Sequence, residues 1–131
     1  GYSDILFGTP QTSFDKTTGL MWQRTGSVSR MDWDTAHQYC ADLVITYTTF
    51  FGSDNLTDWR LPSVVELQTI VDLGESNPAI NEATFPDAKS VNYWSSSSYA
   101  NDGLRAWYVG FKYGSVSTVD KTNSWHVRCV R

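Results

Sequence analysis

Side chains that bind anions are concentrated towards the end of the 131-residue chain. Residues 88–131 contain six Lys or Arg and two acidic residues, whereas residues 1–87 contain four basic and twelve acidic residues. Ammonium and guanidinium groups bind sulfate, phosphate and carboxylate through charge-assisted hydrogen bonds. This distribution indicates an anionic partner for the C-terminal part, with chance in a short sequence as the alternative. The net charge of −4 argues against a general polyanion binder.

Few residues offer catalytic chemistry. His37 and His126 are the only histidines, and no spacing places either in a Ser-His-Asp or Cys-His arrangement. The sequence has no glycine-rich phosphate loop, no HExxH and no paired-carboxylate motif. We therefore expect that the protein is not an enzyme and uses no cofactor. His37 is expected at the surface, on the polar side of a helix.

The chain contains two cysteines, Cys40 and Cys129, and neither belongs to a CxxC motif. Metal-site spacing is absent, so we expect no metal site. A disulfide joining the first helix to the last strand is the preferred interpretation, and it predicts an oxidising, extracytoplasmic compartment. Two buried free thiols are the alternative.

Length and composition fit one domain that covers residues 1–131. The sequence is 40% hydrophobic and 15% aromatic, which is typical of a dense core or of a binding surface. No run of residues is apolar enough to predict a membrane span, and the sequence given shows no pattern that predicts a signal peptide. Because the sequence opens at Gly1 without Met, we expect a mature segment excised from a longer chain.

Two helices are predicted from their capping residues. Ser63 and Glu66 have the spacing of a capping box, and the apolar stripe that follows predicts a helix ending at Gly74. That stripe consists of Val64, Leu67, Ile70 and Val71. Asp32 is predicted to cap an earlier helix. The apolar face of that helix consists of Trp33, Ala36, Tyr39, Cys40 and Leu43.

Strand patterns are densest in the last third of the sequence. The predicted strands are Tyr2–Phe7, Leu20–Arg24, Tyr93–Tyr99, Arg105–Lys112, Ser115–Val119 and Ser124–Arg131. Val44–Thr57 is predicted to be a long connection with one short strand at most. Glu75–Val91 is predicted to be irregular, with Ile80 and Phe85 in the core. Helices that precede a run of antiparallel strands predict an α+β fold.

Six sequence blocks occur in a characteristic order. They are Thr18-Gly19-Leu20-Met21-Trp22, Trp33…Ala36…Tyr39-Cys40…Leu43, Asp58-Trp59-Arg60-Leu61-Pro62…Glu66-Leu67, Tyr93-Trp94-Ser95-Ser96-Ser97, Ala106-Trp107…Val109…Phe111…Gly114 and Val127-Arg128-Cys129-Val130-Arg131. Over about residues 14–131, the sequence closely resembles the bacterial domain family named after the C-terminal domain of the Legionella collagen-like protein.

The resemblance implies a variant of the C-type-lectin-like fold, with two helices packed on twisted antiparallel sheets, irregular loops and one disulfide. It also implies that Cys40 bonds to Cys129. For the collagen-like adhesin of that family, it implies a surface-exposed homotrimer that binds sulfated glycosaminoglycans during host attachment. The related formylglycine-generating enzymes need a reactive cysteine, whereas both cysteines here fall at structural positions.

Seven residues are predicted to bind sulfated polysaccharide. They are Arg105, Lys112 and Lys121, then Lys89 and Arg30, with Tyr108 and Tyr113 stacking on sugar rings. Lys112 and Lys121 flank one predicted hairpin, so we expect their charges at neighbouring strand ends. The alternative for each lysine is a solvated strand-end charge that discourages edge pairing. Arg60 and Arg128 lie inside the family blocks and are expected to form structural ion pairs.

The motifs through which lectins of this fold hold calcium and sugar are absent. Neither a Glu-Pro-Asn-like nor a Trp-Asn-Asp-like sequence occurs, and we interpret Asn101-Asp102 as a plain turn, although it offers oxygen ligands together with Asn92. We therefore expect a calcium-independent adhesin domain at the bacterial cell surface, acting as a homotrimer. The alternative is a trimerising or protein-interaction cap without glycan specificity. Nucleic-acid binding and membrane insertion are not expected.

Overall fold

The computed structural model describes residues 2–3 and 11–131, and it shows an α+β fold. The first sheet is antiparallel, with strand order β1-β2-β3. Its strands are β1 (Tyr2–Ser3), β2 (Thr12–Asp15) and β3 (Met21–Gln23). The strand predicted at Leu20–Arg24 is confirmed as β3. Of the strand predicted at Tyr2–Phe7, residues 4–7 lie outside the described residues.

The first helix, α1 (Trp33–Asp42), begins where the sequence predicts. Asp32 is its N-cap, and a carboxylate oxygen of Asp32 accepts a 2.9 Å hydrogen bond from the amide of Thr35. This bonding to Thr35 stabilises the ionised carboxylate and thereby lowers the pKa of Asp32. Ala36 and Cys40 are fully buried on the face of the helix that packs on the core.

The segment between the helices forms a two-stranded hairpin. β4 (Ile45–Thr49) and β5 (Gly52–Leu56) pair antiparallel along their whole length. The prediction of a long connection with one short strand at most is therefore wrong. Most residues of β5 are exposed, so the hairpin lacks the alternating burial by which a strand is recognised in a sequence.

The second helix, α2 (Val64–Gln68), is shorter than predicted. Its capping box is confirmed, because the Ser63 hydroxyl accepts from the Glu66 amide and the Glu66 carboxylate accepts from the Ser63 amide. The helix ends well before Gly74, which has no left-handed backbone conformation. Ile70 lies in the turn that follows the helix, and its side chain is buried. In the described part of the chain, no helix has the length and apolar character to span a bilayer.

The C-terminal sheet is antiparallel, with strand order β6-β7-β8. Its strands are β6 (Asn92–Ser98), β7 (Arg105–Gly110) and β8 (Ser115–Asp120). The predicted hairpin between the last two strands is confirmed. Gly114 turns the chain there with a φ of 79°, a left-handed conformation that favours glycine.

Both faces of the C-terminal sheet are covered. One face presents Trp94 and Ala106 to a core cluster that includes Cys40 of α1. The opposite face presents Val109 to a second cluster that includes Leu67 of α2. Two apolar side chains of the irregular segment Glu75–Val91, Ile80 and Phe85, are buried in this second cluster as predicted. Each helix therefore contributes to a different core.

The last residues, 125–131, connect the sheets without forming a continuous strand. Their isolated bridges join Trp22 to Val130, Met31 to Trp125, Arg60 to Val130 and Tyr93 to His126. The prediction of a continuous strand at Ser124–Arg131 is therefore wrong. The four residues from Val127 to Val130 are all buried, because the segment is bridged both to β3 and to β6.

The predicted disulfide is confirmed. Cys40 and Cys129 are bonded, with their Cα atoms 5.6 Å apart and a sequence separation of 89 residues. The bond fastens α1 to the segment that connects the two sheets.

Removing the disulfide is expected to destabilise the fold strongly. The double variant Cys40→Ala/Cys129→Ala should lose about 4 kcal/mol of unfolding free energy, because the bond closes a long loop in the unfolded chain. Urea unfolding followed by tryptophan fluorescence measures this loss. Reduced wild-type protein is the matched control, since it keeps both side chains. Equal urea midpoints for the oxidised protein and the variant would contradict the prediction.

Candidate functional site

The predicted cations of the C-terminal sheet lie at its two opposite ends. Arg105 begins β7 and pairs with Asp120 at the end of β8, directly before Lys121. Lys112 lies in the turn at the other end of the hairpin. The expectation that Lys112 and Lys121 occupy neighbouring strand ends is therefore wrong. The six residues of β8 lie between them, and at about 3.3 Å per residue this separates the two lysines by roughly 20 Å.

Arg105 is engaged within the sheet. Its Nε donates to the Thr118 hydroxyl at 3.2 Å, and its Nη2 donates to the Thr118 carbonyl at 2.7 Å. Its Nη1 lies 3.5 Å from a carboxylate oxygen of Asp120. All three guanidinium nitrogens thus have a partner on β8, and the side chain stabilises the open end of the hairpin.

Lys121 is held against the start of α1. Its Nζ lies 4.0 Å from the centre of the Trp33 ring and donates a 2.8 Å hydrogen bond to the Gly103 carbonyl. His37 packs edge-on against the same tryptophan, with 4.3 Å between ring centres. His37 is half-buried, not fully exposed as a surface residue would be, and its buried Nε2 has no hydrogen-bond partner among the described residues. Burial lowers the pKa of His37.

Tyr108 is used in the protein's own packing. Its half-buried ring lies 5.3 Å from the ring of Trp125, measured between centres, and borders the first core cluster. Of the two tyrosines predicted to stack on sugar, Tyr108 therefore contributes to stability in this structure.

Lys112 and Tyr113 form an exposed pair at the β7–β8 turn. The Tyr113 side chain is 67% exposed, and Lys112 Nζ lies 5.5 Å from the centre of its ring. Leu73, which is 84% exposed, borders the same turn, since a Cβ built on Gly114 would lie 3.4 Å from it. The Lys112–Tyr113 pair thus offers an open aromatic face beside an exposed positive charge.

Lys89 lines a cavity of about 90 Å³. The other lining residues are Thr25, Gly26, Ser27, Val28, Asp87, Tyr93 and His126. Arg30 is exposed and lies two residues after the loop that forms one wall. The structure therefore places Lys89 at the wall of a cavity, whereas Arg30 lies between the loop of that wall and Trp33, whose ring Lys121 contacts.

The sequence did not reveal the wall of this cavity, because its residues come from three distant segments. Ser27, Asp87 and His126 meet only in the folded chain. One signal was available: Arg128 stands in an apolar stretch, and a buried guanidinium requires a carboxylate nearby. Asp87 supplies that carboxylate.

Two arginines form structural ion pairs, as predicted. Both terminal nitrogens of Arg60 donate to the carboxylate of Glu66 at 2.7 Å. The Nη2 of Arg128 donates to Asp87 at 2.9 Å, and the Arg128 side chain is only 1% exposed. Hydrogen bonds from Arg60 lower the pKa of Glu66 to about 2.

The Asn101-Asp102 segment is a hydrogen-bonded turn. The Asn101 amide donates to the Tyr99 hydroxyl at 3.2 Å, and an Asp102 carboxylate oxygen accepts from the Leu104 amide at 3.0 Å. Among the residues that the structure describes, no three His, Cys, Asp or Glu side chains are grouped to hold a metal ion.

Over residues 2–3 and 11–131, the chain is an α+β domain of two helices and antiparallel sheets, closed by one disulfide. The family model described as the Lcl C-terminal domain matches residues 11–131, so the chain belongs to the Lcl C-terminal domain family. This finding confirms the family predicted from the six sequence blocks. The crystal structure of CEL-IV is similar in fold, with a TM-score of 0.50 and 13% identity over 96% of this chain and 94% of that chain. None of the curated proteins matches the sequence significantly.

Acid is expected to remove the contribution of the Arg60–Glu66 ion pair to the free energy of unfolding. The pKa of Glu66 falls from 4.5 to about 2 on folding, so this stability is complete above about pH 5 and is lost as the pH falls towards about 2. Because the pair is partly exposed, solvent screening limits its contribution to about 1 kcal/mol. Urea unfolding of wild type and Glu66→Gln between about pH 6 and 2.5 measures it. A stability difference that stays constant over this range would contradict the assignment.

Proposed function

We propose that this domain is a carbohydrate-binding module of a bacterial surface adhesin. It binds sulfated glycosaminoglycans or related anionic polysaccharides without calcium, acts as a homotrimer and has no enzymatic activity. We assign it to the C-type-lectin-like fold and to the extracellular face of the cell. Membership of the Lcl C-terminal domain family and the intramolecular disulfide support this proposal.

The observation that carries the proposal is the exposed Lys112–Tyr113 pair. An aromatic ring that is 67% exposed offers a flat apolar surface to the C–H face of a sugar. The ammonium group, 5.5 Å from the ring centre, is close enough to bind a sulfate on the same sugar unit. By contrast, Arg105 and Lys121 already bond within the protein, so the pair replaces them as the primary contact.

An acidic cleft restricts how an anionic chain approaches this pair. Asp72, Glu75 and Glu82 line a cleft of about 240 Å³. The same loop is attached to the turn, since the Asn77 amide donates to the Lys112 carbonyl at 2.7 Å. Like charges repel, so we expect the polysaccharide to contact Tyr113 from the side away from this cleft.

The absence of catalysis is proposed from the cysteines. The related formylglycine-generating enzymes depend on a reactive thiol, whereas Cys40 and Cys129 are bonded to each other here. Calcium independence is proposed because the Asn101 and Asp102 side chains are engaged in the bonds of their own turn.

A trimer would present three copies of the Lys112–Tyr113 pair to one polymer. Linked weak sites gain avidity of 10²-fold or more without any new contact, which offsets the small size of each site. The alternative function, a protein-interaction cap, is favoured by the tip of the β4–β5 hairpin. Phe50 and Phe51 are 87% and 101% exposed there, as is common at protein interfaces.

Heparin affinity chromatography tests the proposed site. Lys112→Ala/Tyr113→Ala is expected to weaken heparin binding about ten-fold, a loss of about 1.4 kcal/mol from one ionic and one stacking contact. Wild-type retention should fall as salt rises, because salt screens the ionic contacts. Glu75→Gln should strengthen retention by reducing repulsion from the acidic cleft.

Lys16→Ala is the matched control, because it removes the same charge from an exposed lysine in the turn between β2 and β3. Light scattering checks the oligomeric state of each variant. Unchanged retention of the double variant contradicts the assigned site. A trimer that fails to bind any member of a glycan array supports the interaction cap instead.

A further inference from the structure

The cavity beside Lys89 is smaller than the cleft of about 240 Å³ lined by Asp72, Glu75 and Glu82, and unlike that cleft it has a lysine in its wall. Its volume of about 90 Å³ is several times what one buried water needs, roughly 10–15 Å³. It is far smaller than the roughly 300–1,000 Å³ of pockets that enclose a whole ligand. A single charged substituent fits this space better than a complete sugar ring does.

Positive charge exceeds negative charge at this cavity. Both oxygens of Asp87 are occupied: Oδ1 accepts from Arg128 at 2.9 Å, and Oδ2 accepts from the Gly26 amide at 2.8 Å. The buried Arg128 guanidinium therefore offsets the Asp87 carboxylate, and Lys89 adds a positive charge at the wall that no carboxylate among the described residues pairs with. This local excess of positive charge favours the binding of an anion at the cavity, although the net charge of the whole protein is −4.

The wall of the cavity is held in place before any ligand arrives. The Ser27 amide donates to the Val127 carbonyl at 2.8 Å, and the Ser27 hydroxyl accepts from the Val127 amide at 2.9 Å. Gly26 packs so closely that a Cβ would lie 2.9 Å from the Val127 carbonyl oxygen. A fixed wall lowers the entropy cost of binding.

His126 makes the cavity sensitive to protons. Its Nδ1 lies 3.2 Å from the Ser27 carbonyl oxygen, which only accepts hydrogen bonds, so Nδ1 carries the hydrogen. In the neutral ring Nε2 is then a bare acceptor, which repels an anion. In the protonated ring Nε2 becomes a second donor. The charged neighbours at this cavity are Asp87, Lys89 and Arg128, and the phenol of Tyr93 completes the wall.

We propose that this cavity binds one tetrahedral oxyanion through Lys89 and the protonated ring of His126. The chemical class is sulfate, either free or as the ester of an acidic polysaccharide. Assigning it to the ester rests on the proposed function, whereas binding of inorganic sulfate does not. Binding takes up a proton at His126, so affinity rises as the pH falls.

Titration of the ¹⁵N-labelled domain with sodium sulfate, at constant ionic strength in chloride, tests this site. We expect saturable shifts of the amides of residues 25–28 and Lys89. Affinity should be about five-fold tighter at pH about 5.5 than at about 8, because a protonated imidazole donates hydrogen bonds from both of its nitrogens. Lys89→Ala should weaken binding at both pH values, and His126→Asn should remove the pH dependence while an amide still reaches the Ser27 carbonyl.

Lys16→Ala is again the charge-matched control and should leave sulfate binding unchanged. The proposal is overturned if sulfate causes no saturable shift, if Lys89→Ala binds as wild type does, or if His126→Asn keeps the pH dependence. Titration with N-acetylglucosamine 6-sulfate and with unsulfated N-acetylglucosamine separates a glycan ester from free sulfate. Sulfate binding without heparin retention would retain this site and reject the proposed function. Heparin retention without sulfate binding would reject this site and support the proposed function.

Discussion

The guanidinium of Arg128 is a full positive charge almost completely removed from water, with the side chain 1% exposed. Such a charge is tolerated only when its donors are satisfied and a counter-charge is close. Here Nη1 donates to the carbonyls of Gln23 and Arg24, and Nη2 donates to Asp87. The end of β3 and the irregular segment are therefore positioned by the need to satisfy one side chain. Losing Asp87 would leave that buried charge without its counter-charge.

The same segment of chain connects the rest of the fold. Backbone hydrogen bonds from residues 125–131 reach Met21, Met31, Arg60 and Trp94. These partners belong to or border the first sheet, α1, α2 and the C-terminal sheet, so one short stretch holds elements that are distant in sequence. The disulfide fastens this stretch to α1 as well. The first sheet and the C-terminal sheet are thus held together because both are hydrogen-bonded to the same segment.

What the sequence predicts well is local. The capping box at Ser63 and Glu66 and the cap at Asp32 depend on residues three apart, and both are present. The β4–β5 hairpin escaped prediction because most residues of β5 are exposed, so this strand carries little burial pattern. The separation of Lys112 from Lys121 depends on which end of a hairpin each occupies. Knowing that a turn lies between two residues does not show whether they are adjacent across it.

The cavity was unpredictable for a different reason, since its wall is assembled from three segments brought together by Arg128 and the last residues of the chain. The residues around the cavity therefore fall into two groups, those of its wall and those of its rim. Gly26 and Ser27 are fixed by contacts with Val127 and Asp87, so changes there disturb folding. Lys89 lies at the exposed rim. A substitution of Lys89 would therefore change the charge at the rim while leaving intact the contacts that hold the wall, so the charge of the cavity and the stability of the fold depend on different residues.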